Sequence, residues 1–120
     1  MAVFKKRKLS GSTDGKPIKV VATATAGTTI HTAVAGTTAG TYDEIWLFAQ
    51  NNHTAVVTLT IEMGGATVPD NTIVCSLDTK AGLQMVVPGL VLQNAKVVKA
   101  FASTANVITI SGFVNAITDA

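Results

Sequence analysis

Cysteine is almost missing from this chain. Cys75 stands alone, so no internal disulfide can form, and an oxidising compartment is neither required nor excluded. Charge is scarce as well. Asp, Glu, Lys and Arg make up 13% of the residues, against about 25% in an ordinary soluble domain. No stretch approaches the roughly 18 consecutive apolar residues that a membrane helix needs. No apolar run follows the basic opening, so no secretory leader is expected. These absences lead to the expectation of a soluble protein made in a cytoplasm, with no membrane contact.

Helical periodicity is also absent, and so is a catalytic constellation. The two histidines, His31 and His53, stand apart from any acid in sequence. "TTIHTA" reads as a strand histidine bonded to neighbouring Thr or backbone, and "QNNHTA" as a solvated turn. The adjacent carboxylates of "YDE", 42–44, point to opposite faces of a strand and so do not form a metal site. "GGATVPDN" has turn chemistry and lacks the Lys and helix of a phosphate loop. Cys75 lies among Ile73, Val74 and Leu77 and reads as a small buried apolar residue. The expectation is a non-enzyme with no cofactor, no metal and no small-molecule substrate.

What is present is Thr, Ala, Val, Ile, Leu and Gly, punctuated by turn residues. The 120 residues are expected to form one folded body, enough to bury roughly two thirds of the surface of the unfolded chain. Candidate strands are 17–26, 28–35, 42–50, 54–63, 72–78, 83–88, 90–93, 96–102 and 106–117. "TAVVTLTIEM" alternates cleanly, with Val57, Leu59 and Ile61 against Thr58, Thr60 and Glu62. Short strands without crossover helices predict an all-β fold, an antiparallel β-sandwich or small jelly-roll-like domain. In "EIWLFAQ" both parities are largely apolar, which predicts a strand covered on both sides. Trp46, Phe48, Phe101 and Phe113 are the expected core anchors. Gly112 is read as a bulge or bend in the last strand.

The cations are unevenly placed. Residues 1–19 hold Lys5, Lys6, Arg7, Lys8, Lys16 and Lys19 against Asp14, a balance of +5. Residues 20–120 hold Lys80, Lys96 and Lys99 against Asp43, Glu44, Glu62, Asp70, Asp78 and Asp119, a balance of −3. The opening "MAVFKKRKLSGSTDGKP" therefore predicts an extended basic arm, 1–16, before a β-sandwich domain, 17–120. Fully extended, such an arm reaches on the order of 55 Å. Free in solution it is expected to be disordered, and its removal to leave the fold intact. Lys5, Lys6, Arg7, Lys8, Lys16 and Lys19 are the candidate partner-binding residues. An acidic protein surface is the first target and nucleic acid the second. The charge-poor body predicts association with copies of itself.

Three further stretches, "TAGTYDEIWLFAQNN", "VVPGLVLQNAKVVKAFA" and "ANVITISGFVNAI", complete the pattern with "KRKLSGSTDGKPIKV" in front. Together they resemble small virion proteins of tailed bacteriophages, most closely the capsid decoration, or cement, proteins. The resemblance covers nearly the whole chain. It implies a structural virion protein on the capsid exterior, often trimeric, that binds the major capsid protein through a terminal arm. It brings no catalytic residues. Head-fibre, receptor-binding and tail-adaptor proteins share the composition and are the alternative, with a nucleic-acid-binding β protein as a further one.

Overall fold

A computed structural model describes residues 2–119, with side chains through Thr118. The described residues form an all-β architecture of two antiparallel sheets. The strands are β1 (Ala2–Lys8), β2 (Ile18–Lys19), β3 (Thr28–Thr32), β4 (Tyr42–Asn51), β5 (Val57–Met63), β6 (Thr72–Leu77), β7 (Gln84–Leu92), β8 (Val97–Ala102) and β9 (Ile108–Asp119). The first sheet runs β1-β9-β4-β7, with β2 also paired to β9. The second runs β3-β8-β5-β6. The pairs β2/β9, β3/β8, β4/β7 and β5/β6 are nested about the β5–β6 turn. β1 lies outside this nest.

The two sheets bury their facing sides. Ile45, Leu47 and Ala49 of β4, with Ile108, Ile110 and Val114 of β9, meet Ile30, Val57, Leu59, Ile61, Val98 and Ala100. Alternation puts these residues on one face of each strand, and β-branched side chains fill the thin space between sheets. Segment 20–22 ties the sheets together: Val20 exchanges backbone hydrogen bonds with Ile108 and Asn106, and the Ala102 amide donates to the Ala22 carbonyl. Of the expected strand 17–26, only Ile18–Lys19 is strand.

Four expectations need correction. Trp46, Phe48, Phe101 and Phe113 are not core anchors; each is half-buried on the outward face of its sheet. The opposite parity of β4, Ile45, Leu47 and Ala49, is buried instead, and Trp46 keeps its indole N–H on Glu44 on the outward face. The boundary at 16/17 also moves. Ala2–Lys8 pairs along β9 from Asp119 to Phe113, and Leu9 is buried in the core. The body therefore begins at Leu9, and the opening segment is laid on the sheet. Gly112 marks no bulge, since the β4/β9 register runs unbroken past it. A side chain there would strike the Trp46 carbonyl oxygen. The register shifts fall in the β4/β7 pairing instead, so 83–88 and 90–93 are one kinked strand.

Candidate interaction surfaces

β1 has no buried residue. Its sequence shows no alternation, so neither face is driven inward, and pairing with β9 alone holds it. Strand geometry divides the cations. Lys6 and Lys8 stand opposite Asn115 and Phe113, on the outward face, while Lys5 and Arg7 stand opposite Ala116 and Val114, on the inward face. Lys19 pairs with Thr109 in β2 and joins the outward group. Lys16 is exposed in the turn before β2, where its carbonyl accepts a hydrogen bond from Ser12 Oγ at 2.7 Å. The fold thus puts three of the six expected cations on the outward face of the first sheet and two on its inward face, and leaves Lys16 in a loop.

The outward face beside β1 is aromatic. Cross-strand rows run Phe4–Ile117–Tyr42, Lys6–Asn115–Glu44 and Lys8–Phe113–Trp46–Pro88. The Trp46 and Phe113 rings stack with centroids 6.3 Å apart. Lys6 Nζ caps the Phe113 ring at 4.2 Å, a cation–π contact. Trp46 Nε1 donates to Glu44 Oε1 at 2.7 Å, and Asn115 Nδ2 donates to the same oxygen at 3.0 Å. These bonds stabilise the ionised form, and hold the Glu44 carboxyl below its ordinary value, the Asn115 contribution being the larger. Gly89 lets the indole lie flat on β7; a side chain there would meet the ring within 3 Å. Phe4, Met85 and Val91 remain 65%, 55% and 53% exposed around this face, so it is an apolar surface with a cationic border.

Between the sheets lies a second polar cluster. His31 Nδ1 accepts the Ser10 amide at 3.0 Å, which leaves the ring proton on Nε2. Nε2 donates it to Asp43 Oδ2 at 2.7 Å. The pair is buried and joins β3 to β4 across the interlayer. The trio Ser10, His31 and Asp43 does not have the order of a hydrolytic triad. Ser10 Oγ accepts the Thr32 amide at 2.7 Å, and the imidazole lone pair is taken by a backbone N–H. The expected histidine–backbone bond is present; the acid was missed because it is distant in sequence. The alternation of "YDE" was legible, and it sends Asp43 inward to His31 and Glu44 outward to Trp46.

Among the described residues Glu62 is the other buried acid. Its carboxylate accepts Thr25 Oγ1 at 2.9 Å and the Gly27 amide at 2.7 Å, anchoring the loop before β3. Asn51 organises the turn after β4, donating to the Ala55 and Leu77 carbonyls and accepting the His53 amide. Every buried side-chain polar atom described has a partner, so these acids serve architecture. Cys75 is half-buried against the core, and burial pushes its thiol pKa up. Among the described residues no three His, Cys, Asp or Glu side chains converge as metal ligands, and no helix is long and apolar enough to cross a membrane. No family model, curated protein or solved structure matches the chain.

Proposed function

We propose that this chain is a structural virion protein that binds and stabilises the outside of a phage capsid. In this reading it acts as a homotrimer, its partner is the major capsid protein, and it is assembled in the host cytoplasm. The observation that carries the reading is β1: four consecutive cations, all exposed, on a strand added outside the nested pairs. A strand with no buried residue contributes little to the core, so its charge is free to serve a partner. β1, which precedes the core residue Leu9, is the docking arm of this reading. The domain behind it is a jelly roll. Support comes from the nested order β2-β9-β4-β7 over β3-β8-β5-β6, a layout found in viral capsid and lectin domains. Fold alone does not carry function, so the weight falls on the basic strand.

The test is co-sedimentation with undecorated capsid shells. Wild type should pellet with the shells, and replacing Lys5, Lys6, Arg7 and Lys8 by Ser should leave the protein in the supernatant. Residual binding should lose its salt dependence, because exposed charges are screened over about 8–10 Å at 0.10–0.15 M salt. Truncation should stop at Lys8, since Leu9 belongs to the core. Equal binding by all variants overturns the reading. Light scattering across a dilution series tests the trimer. A head-fibre or receptor-binding role is the second reading, favoured by the outward Trp46–Phe113 stack. Under it, Trp46→Ala, and not the four-Ser variant, abolishes attachment.

A further inference from the structure

The four sheet edges are protected to different degrees. β3 is capped by its own chain: the Gly11 amide donates to the Ile30 carbonyl, and the Thr32 amide donates to Ser10 Oγ. β7 carries Pro88 and two register shifts, devices that blunt an edge. β6 ends where Asn51 Nδ2 takes the Leu77 carbonyl, and its sequence TIVCSL has no charge. β1 is regular over seven residues in its pairing with β9. Among the described residues, its backbone has no partner on the other side. Such an edge presents a row of free N–H and C=O groups.

We infer that this edge takes an extended acidic segment of a protein partner as an added strand. The inference rests on the docking role proposed for β1 and names the chemistry of its occupant. A second copy is disfavoured by charge: antiparallel self-pairing about Lys6 sets Lys5 opposite Arg7 and Lys6 opposite itself, and like charges directly opposite repel. An acidic strand reverses the sign of every one of these contacts. Its alternate side chains reach Lys6 and Lys8 on one face and Lys5 and Arg7 on the other. The inward face is also open. A cavity of about 250 Å³ lined by Val3, Lys5, Arg7 and Ala116 adjoins one of about 540 Å³ that reaches Val114 and His31. Arg7 lines both, placed to grip a carboxylate with its guanidinium fork. Added strands of this kind draw affinity from the main chain and specificity from alternate side chains. Nucleic acid fits less well. It makes no use of a free strand edge, and of the two rings beside the cations only Phe4 is open, Phe113 being capped by Lys6.

The test uses the full chain and amide hydrogen exchange. One probe is an eight-residue peptide repeating Glu-Glu-Val-Val, which puts acids on both faces of the added strand. A second is the same peptide N-methylated at every residue, which keeps the charge but leaves neither edge able to form the ladder. A third is an oligothymidylate of equal charge. The first should slow exchange at alternate amides of residues 3–8 by about tenfold or more, the signature of new backbone bonds. The methylated peptide and the oligonucleotide should leave those amides unchanged. Lys5→Ser with Arg7→Ser should weaken peptide binding roughly five- to tenfold. Equal protection by the methylated peptide or the oligonucleotide reduces the site to bare charge and overturns the inference, as does no protection by the first peptide. No capsid is involved, so the outcome is separate from co-sedimentation. Shell binding without peptide protection sinks only the added strand, and peptide protection without shell binding sinks only the virion role.

Discussion

The two faces of β4 differ in kind. Inward it presents Asp43, Ile45, Leu47, Ala49 and Asn51, all buried; outward it presents Tyr42, Glu44, Trp46, Phe48 and Gln50, all half-buried. The inward face packs by shape, through branched and small side chains in a thin layer between sheets. The outward face packs by pairing: ring on ring, ammonium on ring, and indole N–H on carboxylate. The contrast shows that a large side chain is not by itself a core side chain. Trp carries a polar N–H that must find a partner, and Glu44 supplies one only on the outward face. Leu47 has no such requirement and is fully enclosed.

The sharpest way to break this comparison is to truncate both faces. Leu47→Ala should cost about 2–5 kcal/mol, because a sealed cavity replaces the lost side chain. Trp46→Ala removes a larger group but should cost only about 1–2 kcal/mol, since water reaches its place. Urea denaturation of the two variants measures both, and an equal or larger loss for Trp46 would make the outward face a second core. The next effect in size is Asp43→Ala. It leaves the buried His31 Nε2–H without an acceptor, a loss of about 1–3 kcal/mol by the same measurement. A loss near zero would show that water replaces the carboxylate.

The smallest effect concerns pH. Glu44 has its pKa lowered from the ordinary 4.5 by Asn115 and Trp46. A depressed acid stabilises the fold at pH above its unfolded value and loses that contribution as pH falls through the folded one. Trp46 is the chain's single tryptophan, so its fluorescence reports this titration directly. The midpoint should lie below 4.5 in wild type and move up toward it in Asn115→Ala. Glu44→Gln should remove the transition. A wild-type midpoint at the ordinary value would mean that the two hydrogen bonds do not persist in solution.

The strands were largely legible because β-branched alternation and turn residues are local signals. "TAVVTLTIEM" yielded β5 and the burial of Val57, Leu59 and Ile61, while Glu62, read with the polar set, is buried as well. "EIWLFAQ" did not reveal its buried set, because both parities are apolar and a one-residue choice exchanges the faces. The opening segment was misread as separate for a related reason. β1 has no buried face, so it leaves no alternation, and its pairing with β9 depends on a strand more than a hundred residues away. The His31–Asp43 pair spans two sheets, and no spacing rule links its members. The tight approach at Gly112 is likewise to a neighbouring strand's backbone.

By itself, then, the sequence determined that the fold is all-β, where most of its turns fall and that most of its cations gather at one end, because propensity, turn chemistry and charge are properties of neighbouring residues. Tertiary structure alone decided which face of β4 went inside, which acid met His31, and that the basic segment lies along β9 with one edge open. Those outcomes depend on the shape of the space between two sheets and on which strands come side by side, and neither is encoded in any single stretch of chain.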